Sequence, residues 1–178
     1  MLYSIILLAI GFTAGFNSFV PYENWKWNRS YQLRYKRLIN QIAPDVSTTT
    51  ITGEKWHLND QKGKVLLIDF WATWCEPCVD SIPKLKAIQE KYAHHPDFEI
   101  IGVSLDESRE DLESFLQDVS ISWLQLFDEE AGWDCDFVSK FEITGIPSIW
   151  IIDRDNRIVG IDLHREEEIV RIIDLALE

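Results

Sequence analysis

Apolar and polar positions divide the chain into three stretches. From Leu2 to Val20 no side chain is charged, and 19 residues at about 1.5 Å each would reach roughly 28 Å as a helix, close to the thickness of a hydrocarbon core. Residues 1–20 are therefore expected to be a membrane anchor. A cleaved signal peptide is the rival reading, since Ser4, Thr13, Asn17 and Ser18 dilute the run, but no A-x-A site follows its apolar core. Residues 21–42 form a basic stalk: Trp25 and Trp27 come first, then Tyr31, Tyr35, Leu38 and Ile42 recur at steps of four, three and four. That spacing predicts an amphipathic helix, either lying near lipid headgroups or packing back on the domain that follows.

Residues 43–178 alternate between strand and helix patterns. Ala43-Pro44-Asp45 ends the helical spacing, and Ser47 to Leu58, centred on Gly53-Glu54, reads as a hairpin. After a turn-rich link, Val65 to Trp71 is a buried strand, followed by a helix from Val79 to Tyr92 that Pro83 should kink. Glu99 to Leu105 is the next strand. Ser108 to Val119 is a helix with Leu112, Phe115, Leu116 and Val119 inward, followed by a short strand over Ile121 to Phe127 and a short helix over Trp133 to Phe141. Strands Ser148 to Ile152 and Arg157 to Ile161 flank the turn at Asp153 to Asn156. The last helix, Glu166 to Leu177, has Ile169, Ile172, Ile173 and Ala176 on one stripe. This order predicts an α/β domain with a central mixed sheet covered on both faces.

Composition narrows the function. A formal charge of -13 is unevenly spread: residues 1–40 carry five Lys/Arg against Glu23 alone, leaving about -17 on the remainder. So acidic a domain repels phosphate backbones, which excludes nucleic acid as a partner. Most of the charge between residues 97 and 136 is explained by a solvated face. Three cysteines are too few for a disulfide scaffold, and a single CxxC is half of a four-cysteine zinc site. What remains for them is redox chemistry.

That chemistry centres on Trp74-Cys75-Glu76-Pro77-Cys78, between a strand and a helix. Cysteines three positions apart at a helix start share a face and can join as a readily exchanged disulfide. Cys75 meets the unpaired N–H groups and dipole of the helix start, which favour its thiolate, so it is the expected nucleophile, exposed to a partner. Cys78, one turn inside, is expected to be shielded and to attack the mixed disulfide from within. Asp69 interrupts the apolar strand. Buried there its carboxyl would titrate high and suit a base for the Cys78 thiol, against the plain alternative of a capping or edge-exposed Asp. Cys135 is expected to be a packed small residue, and His57, His94, His95 and His164 ordinary surface or packing residues.

The stretch Asp69 to Cys78, with Pro83 five places on and Gly145-Ile146-Pro147-Ser148 near the end, resembles the thioredoxin superfamily, and within it the TlpA/ResA-like membrane-anchored thiol-disulfide oxidoreductases. The resemblance covers residues 43–178. It implies a thioredoxin fold, from which this chain departs by an inserted helix and strand, about Ser108 to Phe127, and to which the hairpin read above is added at the N-terminal side. It implies Cys75 as nucleophile, Cys78 as resolving cysteine, Asp69 as the buried acid and Trp74 as the aromatic beside the site. Pro147 matches the cis-proline opposite the cysteines, with the Ile146 backbone available to a substrate strand. Glu76 and Pro77 tune the motif, and Glu107 falls where some members carry a second acid. No lysine partner for Asp69 is evident, because Ser104 and Leu105 occupy the strand where it would be sought.

The expected activity is exchange or reduction of disulfides in protein substrates, in exported-protein thiol homeostasis or cytochrome c maturation, with an upstream thiol electron donor and no cofactor beyond the Cys75-Cys78 pair. Two other classes compete. A redoxin-type peroxidase would need a lone peroxidatic cysteine, and a thiolate metallochaperone a CxxxC with a distal histidine. The basic residues after the apolar run would place the domain in the cytoplasm. The resemblance implies the extracytoplasmic side, where keeping selected thiols reduced has a purpose, and the expectation follows it.

Overall fold

Alternation along one strand decides the architecture of the computed structural model, which describes residues 29–129 and 131–178. Strand β3 (Val65–Trp71) is buried at all seven positions, so both of its faces meet helices and its sequence is nearly continuous apolar residues. It lies at the centre of a five-stranded sheet of order β5-β4-β3-β6-β7. Strands β4 (Phe98–Ser104) and β5 (Leu124–Phe127) run parallel to it, β6 (Ser148–Ile152) pairs with it antiparallel, and β7 (Ile158–Gly160) pairs antiparallel with β6. The mixed thioredoxin-type sheet expected from the sequence is what forms.

Each face of β3 owns one core. Val65 and Leu67 pack with Ile82, Leu85 and Ile88 of α2 (Glu76–Lys91) and with Ile169 and Ile173 of α5 (Glu166–Leu177). Leu66, Ile68 and Phe70 pack with Phe137, Phe141 and Trp150 and with Trp56 of the hairpin β1 (Ser47–Thr49) and β2 (Lys55–His57). Asp69 and Trp71 fall, by the same alternation, on the α2 side. Helix α3 (Arg109–Val119) begins where Ser108 accepts a hydrogen bond from the Asp111 N–H and ends at Ser120 in a left-handed conformation. Leu112 is its fully buried residue, and Phe115, Leu116 and Val119 are partly buried, as their spacing predicts.

The described part of the basic stalk, from residue 29 on, docks on its own domain, while Trp25 and Trp27 lie outside the described residues. Helix α1 (Arg29–Leu38) packs Tyr35 and Leu38, with Ile39 beyond its end, against the Phe70 core; Arg34 pairs with Asp162, and Arg37 with Glu142. Ile42 departs from the predicted inward stripe and is 55% exposed. The chain has left the helix by then, and Ile42 bridges Arg157 through its backbone. The expected helix over 133–141 is broken in two, a 3-10 turn (Gly132–Asp134) and α4 (Asp136–Lys140), with Cys135 in extended conformation between them. The expected anchor lies outside the described residues, among which no helix is long and apolar enough to cross a membrane.

Both rims of the sheet are covered by chain that precedes β3. Along β5, the Ile51 N–H donates to the Gln125 carbonyl (2.9 Å) and Thr50 bridges Leu126. Along β7, the Asn40 N–H donates to the Ile158 carbonyl (2.7 Å) and the Ile158 N–H to the Gln41 carbonyl (2.9 Å).

Close approach between β4 and β5 depends on Gly102. A Cβ there would sit 2.3 Å from Oε1 of buried Gln125, the atom that accepts the Trp71 indole N–H at 3.0 Å. Gly102→Ala must push that amide aside and strand the indole N–H, so it is expected to destabilise the fold by about 1–3 kcal/mol, read as a lower urea midpoint at unchanged slope.

Candidate active site

The parallel strands β3 and β4 end on the same side of the sheet, and the cysteine pair sits there. After Trp71 the chain turns through Ala72, Thr73 and Trp74, and Cys75 becomes the residue that caps α2, its carbonyl accepting from the N–H groups of Cys78 (2.9 Å) and Val79 (3.0 Å). Pro77 stands in the first turn, where its missing N–H costs nothing, and exposed Glu76 meets the positive end of the helix dipole. The helix thus begins at Glu76, ahead of the helical-looking stretch from Val79 and where the cysteine spacing and Pro77 place its start. Cys75 and Cys78 are joined as a disulfide, with Cα atoms 5.2 Å apart.

Cys75 is 6% exposed and Cys78 1%, on a bed of Trp71, Ala72, Leu112 and Phe127. The order of accessibility is as expected, but Cys75 is only edge-accessible, because Trp71 and the start of α3 close around it. Trp74, 59% exposed, projects beside it as the one large apolar side chain of the motif open to a partner.

A buried carboxylate fixes the approach to Cys75. Asp106, just beyond β4, accepts from the Thr73 N–H (3.0 Å) and the Thr73 hydroxyl (2.7 Å) through Oδ1, and from the Ser104 hydroxyl (2.7 Å) through Oδ2. The resemblance singles out the next residue, Glu107, which points instead into solvent beside Arg109 and Glu110. Asp106 carried one signal in the sequence, its place at the C-terminal end of a strand beside β3, where open α/β sheets put their sites.

Asp69 is 3% exposed, and its Oδ1 has no hydrogen-bond partner. Burial pushes its carboxyl up to about 7, partly opposed by the charge of Lys84. The lysine expected to be missing is thus supplied, from α2 rather than from β4. Burial in turn lowers the Lys84 ammonium, whose Nζ donates to the His164 carbonyl at 3.0 Å. Lys84 borders the buried stripe Cys78, Ile82, Leu85 and Ile88, but only the packing of α2 against the start of α5 turns it inward.

Across from the cysteines, the Ile146–Pro147 peptide is cis, as the resemblance implies. Ile146 packs against the cluster that holds Cys75 and Cys78. Directly after it, Ser148 starts β6 opposite Phe70, which fixes the loop to the strand that delivers the motif. The structure therefore brings Cys75, Cys78, Asp69, Trp74, Ile146 and Pro147 to one end of the sheet.

Cys135 is a free thiol in the Phe70 core, away from the pair, and burial pushes it up. Among the described residues no group of three His, Cys, Asp or Glu side chains is placed to hold a metal ion. Of the four histidines, His57 and His94 are exposed, and His95 and His164 are half-buried.

Similarity to known proteins follows this geometry. The family model described as Thioredoxin-like matches residues 63–158, from the turn before β3 to the start of β7. The thioredoxin-like protein YneN of Bacillus subtilis is 30% identical over 138 residues, 75% of this chain and 77% of that protein. The thiol-disulfide oxidoreductase ResA of Bacillus cereus is 26% identical over 155 residues, 87% of this chain and 82% of that protein. A solved thiol-disulfide oxidoreductase from Bacteroides fragilis superposes with a TM-score of 0.69 at 26% identity, over 76% of this chain and 99% of that one. With the cysteine pair at the head of α2, the cis-proline facing it and the buried acid beneath, the chain belongs to the thioredoxin-like family.

Proposed function

We propose that the chain is a thiol-disulfide oxidoreductase that exchanges disulfides with protein substrates. The observation that carries this is the Cys75-Cys78 pair at the N-terminus of α2, with the cis Ile146–Pro147 loop packed against it. In the reducing direction, the Cys75 thiolate attacks one sulfur of a substrate disulfide. The S–S bond breaks, its other sulfur leaves as a thiolate that takes a proton, and Cys75 is left in a mixed disulfide. Cys78 then gives its proton to ionised Asp69 and attacks the Cys75 sulfur, which releases the second substrate thiol and forms the Cys75-Cys78 bond. The substrate gains two electrons, and an upstream dithiol donor restores the pair by the same steps run backwards.

Loss of the second thiol separates these steps. Cys78→Ser is expected to accumulate the mixed disulfide between Cys75 and a protein substrate, seen as a dithiothreitol-sensitive mass increase equal to the substrate. If the variant forms no such adduct while the wild type turns over, the order of attack proposed here is wrong.

A further inference from the structure

Helix α1 precedes everything the thioredoxin-like match covers, yet it is connected to the residue that follows the cis-proline. Arg34, on α1, donates from Nη2 to Asp162 Oδ2 at 2.8 Å, and the Ser148 hydroxyl donates to the other carboxylate oxygen, Oδ1. Ser148 also accepts the Trp150 indole N–H at 3.0 Å, and the Arg34 guanidinium lies over the same indole, 5.7 Å from the ring centre. Ser148 is 2% exposed and Trp150 fully buried, and the side chains of Arg34 and Asp162 are 14% and 20% exposed, so the chain of contacts is largely shielded from water and salt. Asp162 has φ 48°, a left-handed conformation that suits Asp or Asn, and the Leu163 N–H beside it donates to the Ile149 carbonyl.

We propose that Arg34, through Asp162 and Ser148, is a positioning residue for the Ile146–Pro147 loop, so that α1 forms part of the protein-substrate site although it touches neither cysteine. The physical case rests on where the contacts end. Ser148 fixes the backbone that leaves the cis peptide, and the Ile146 backbone is what an extended substrate would lie along. A small disulfide needs only Cys75, whereas a protein strand needs both the sulfur and the loop. Arg34 therefore governs recognition of the strand and not the chemistry of the sulfurs. Its charge matters because a half-buried carboxylate that loses its cation is free to turn toward solvent, releasing the Ser148 hydroxyl.

The inference rests on the oxidoreductase reading, and a pair of substrates keeps the two apart. Arg34→Met removes the ion pair at similar volume, and Arg34→Lys restores the charge. Each is assayed for insulin reduction with dithiothreitol as donor, for reaction of the reduced protein with 5,5'-dithiobis(2-nitrobenzoate), and for its exchange equilibrium with glutathione. Expected for Arg34→Met is a KM for insulin raised about tenfold, with the small-disulfide rate and the glutathione equilibrium within about twofold of wild type. Arg34→Lys should recover part of that KM. An unchanged KM, or a parallel fall with both disulfides, overturns the proposal. Should Arg34→Met not fold, Ser148→Ala cuts the same link from the loop side and decides by the same split. A wild-type protein that reduces neither substrate refutes the oxidoreductase reading itself.

Discussion

Cys75→Ser is expected to abolish disulfide reduction, with kcat/KM falling a thousandfold or more, about 4 kcal/mol of barrier. Three features of the site remove any fallback. A serine hydroxyl at neutral pH does not attack sulfur, and it cannot form the bond that Cys75 makes with Cys78. Cys78 is 1% exposed beneath Ala72 and Trp71, so no protein disulfide reaches it directly. Cys135 sits in the core on the other face of the sheet, its thiol held neutral by burial. Insulin reduction with dithiothreitol as donor checks the expectation, and circular dichroism verifies that the variant is folded. Residual activity above about a tenth of wild type would mean that another sulfur carries the reaction.

Asp69→Asn is expected to change both the rate and the pH dependence of stability. As proton acceptor for Cys78, Asp69 contributes on the order of a hundredfold to the second step. Because burial sets its carboxyl at about 7, the wild-type rate of mixed-disulfide resolution should rise as pH passes through that value, and the variant should lose this limb. For stability the sign runs the other way. The folded protein keeps the Asp69 proton up to about pH 7, whereas the unfolded chain releases it near 3.8, the ordinary value of an exposed aspartate. Wild-type stability therefore declines as pH rises from about 4 to 7 and levels off above, by roughly 4 kcal/mol in all. Asparagine has no proton to lose. The variant should match the wild type near pH 5 to within about 1–2 kcal/mol and exceed it by a few kcal/mol at pH 8, in paired urea titrations at the two values. A wild-type minus variant difference that does not vary with pH would show that Asp69 is not the buried acid described here.

Much of this fold was legible because β3 and β6 are buried on both faces and so leave nearly continuous apolar runs, Val65–Trp71 broken only by Asp69 and Ser148–Ile152 opened by its serine, whose bounds the sequence marks to the residue. Helix α5 was equally plain, since its stripe repeats and its first turn is acidic. The site's centre could be read because CxxC chemistry depends on local spacing. What could not be read depends on long-range placement. Lys84 reaches Asp69 only once α2 is laid against β3, and Asp106 reaches Thr73 only across the β3-β4 pairing, 33 residues apart in sequence. Ile42 obeyed the helical period and still faced outward, because pairing with Arg157 ended the period first.

The straps along β5 and β7 also determine how the molecule behaves in a crowd. A sheet with a bare border offers N–H and C=O groups to any extended peptide, and copies of the same chain add to one another through it into fibres. Here residues 40–42 and 50–51 occupy those positions. With both borders taken, the Ile146–Pro147 loop proposed above as the substrate's berth has no competing sheet edge beside it, and one copy of the chain finds no open strand on another to extend.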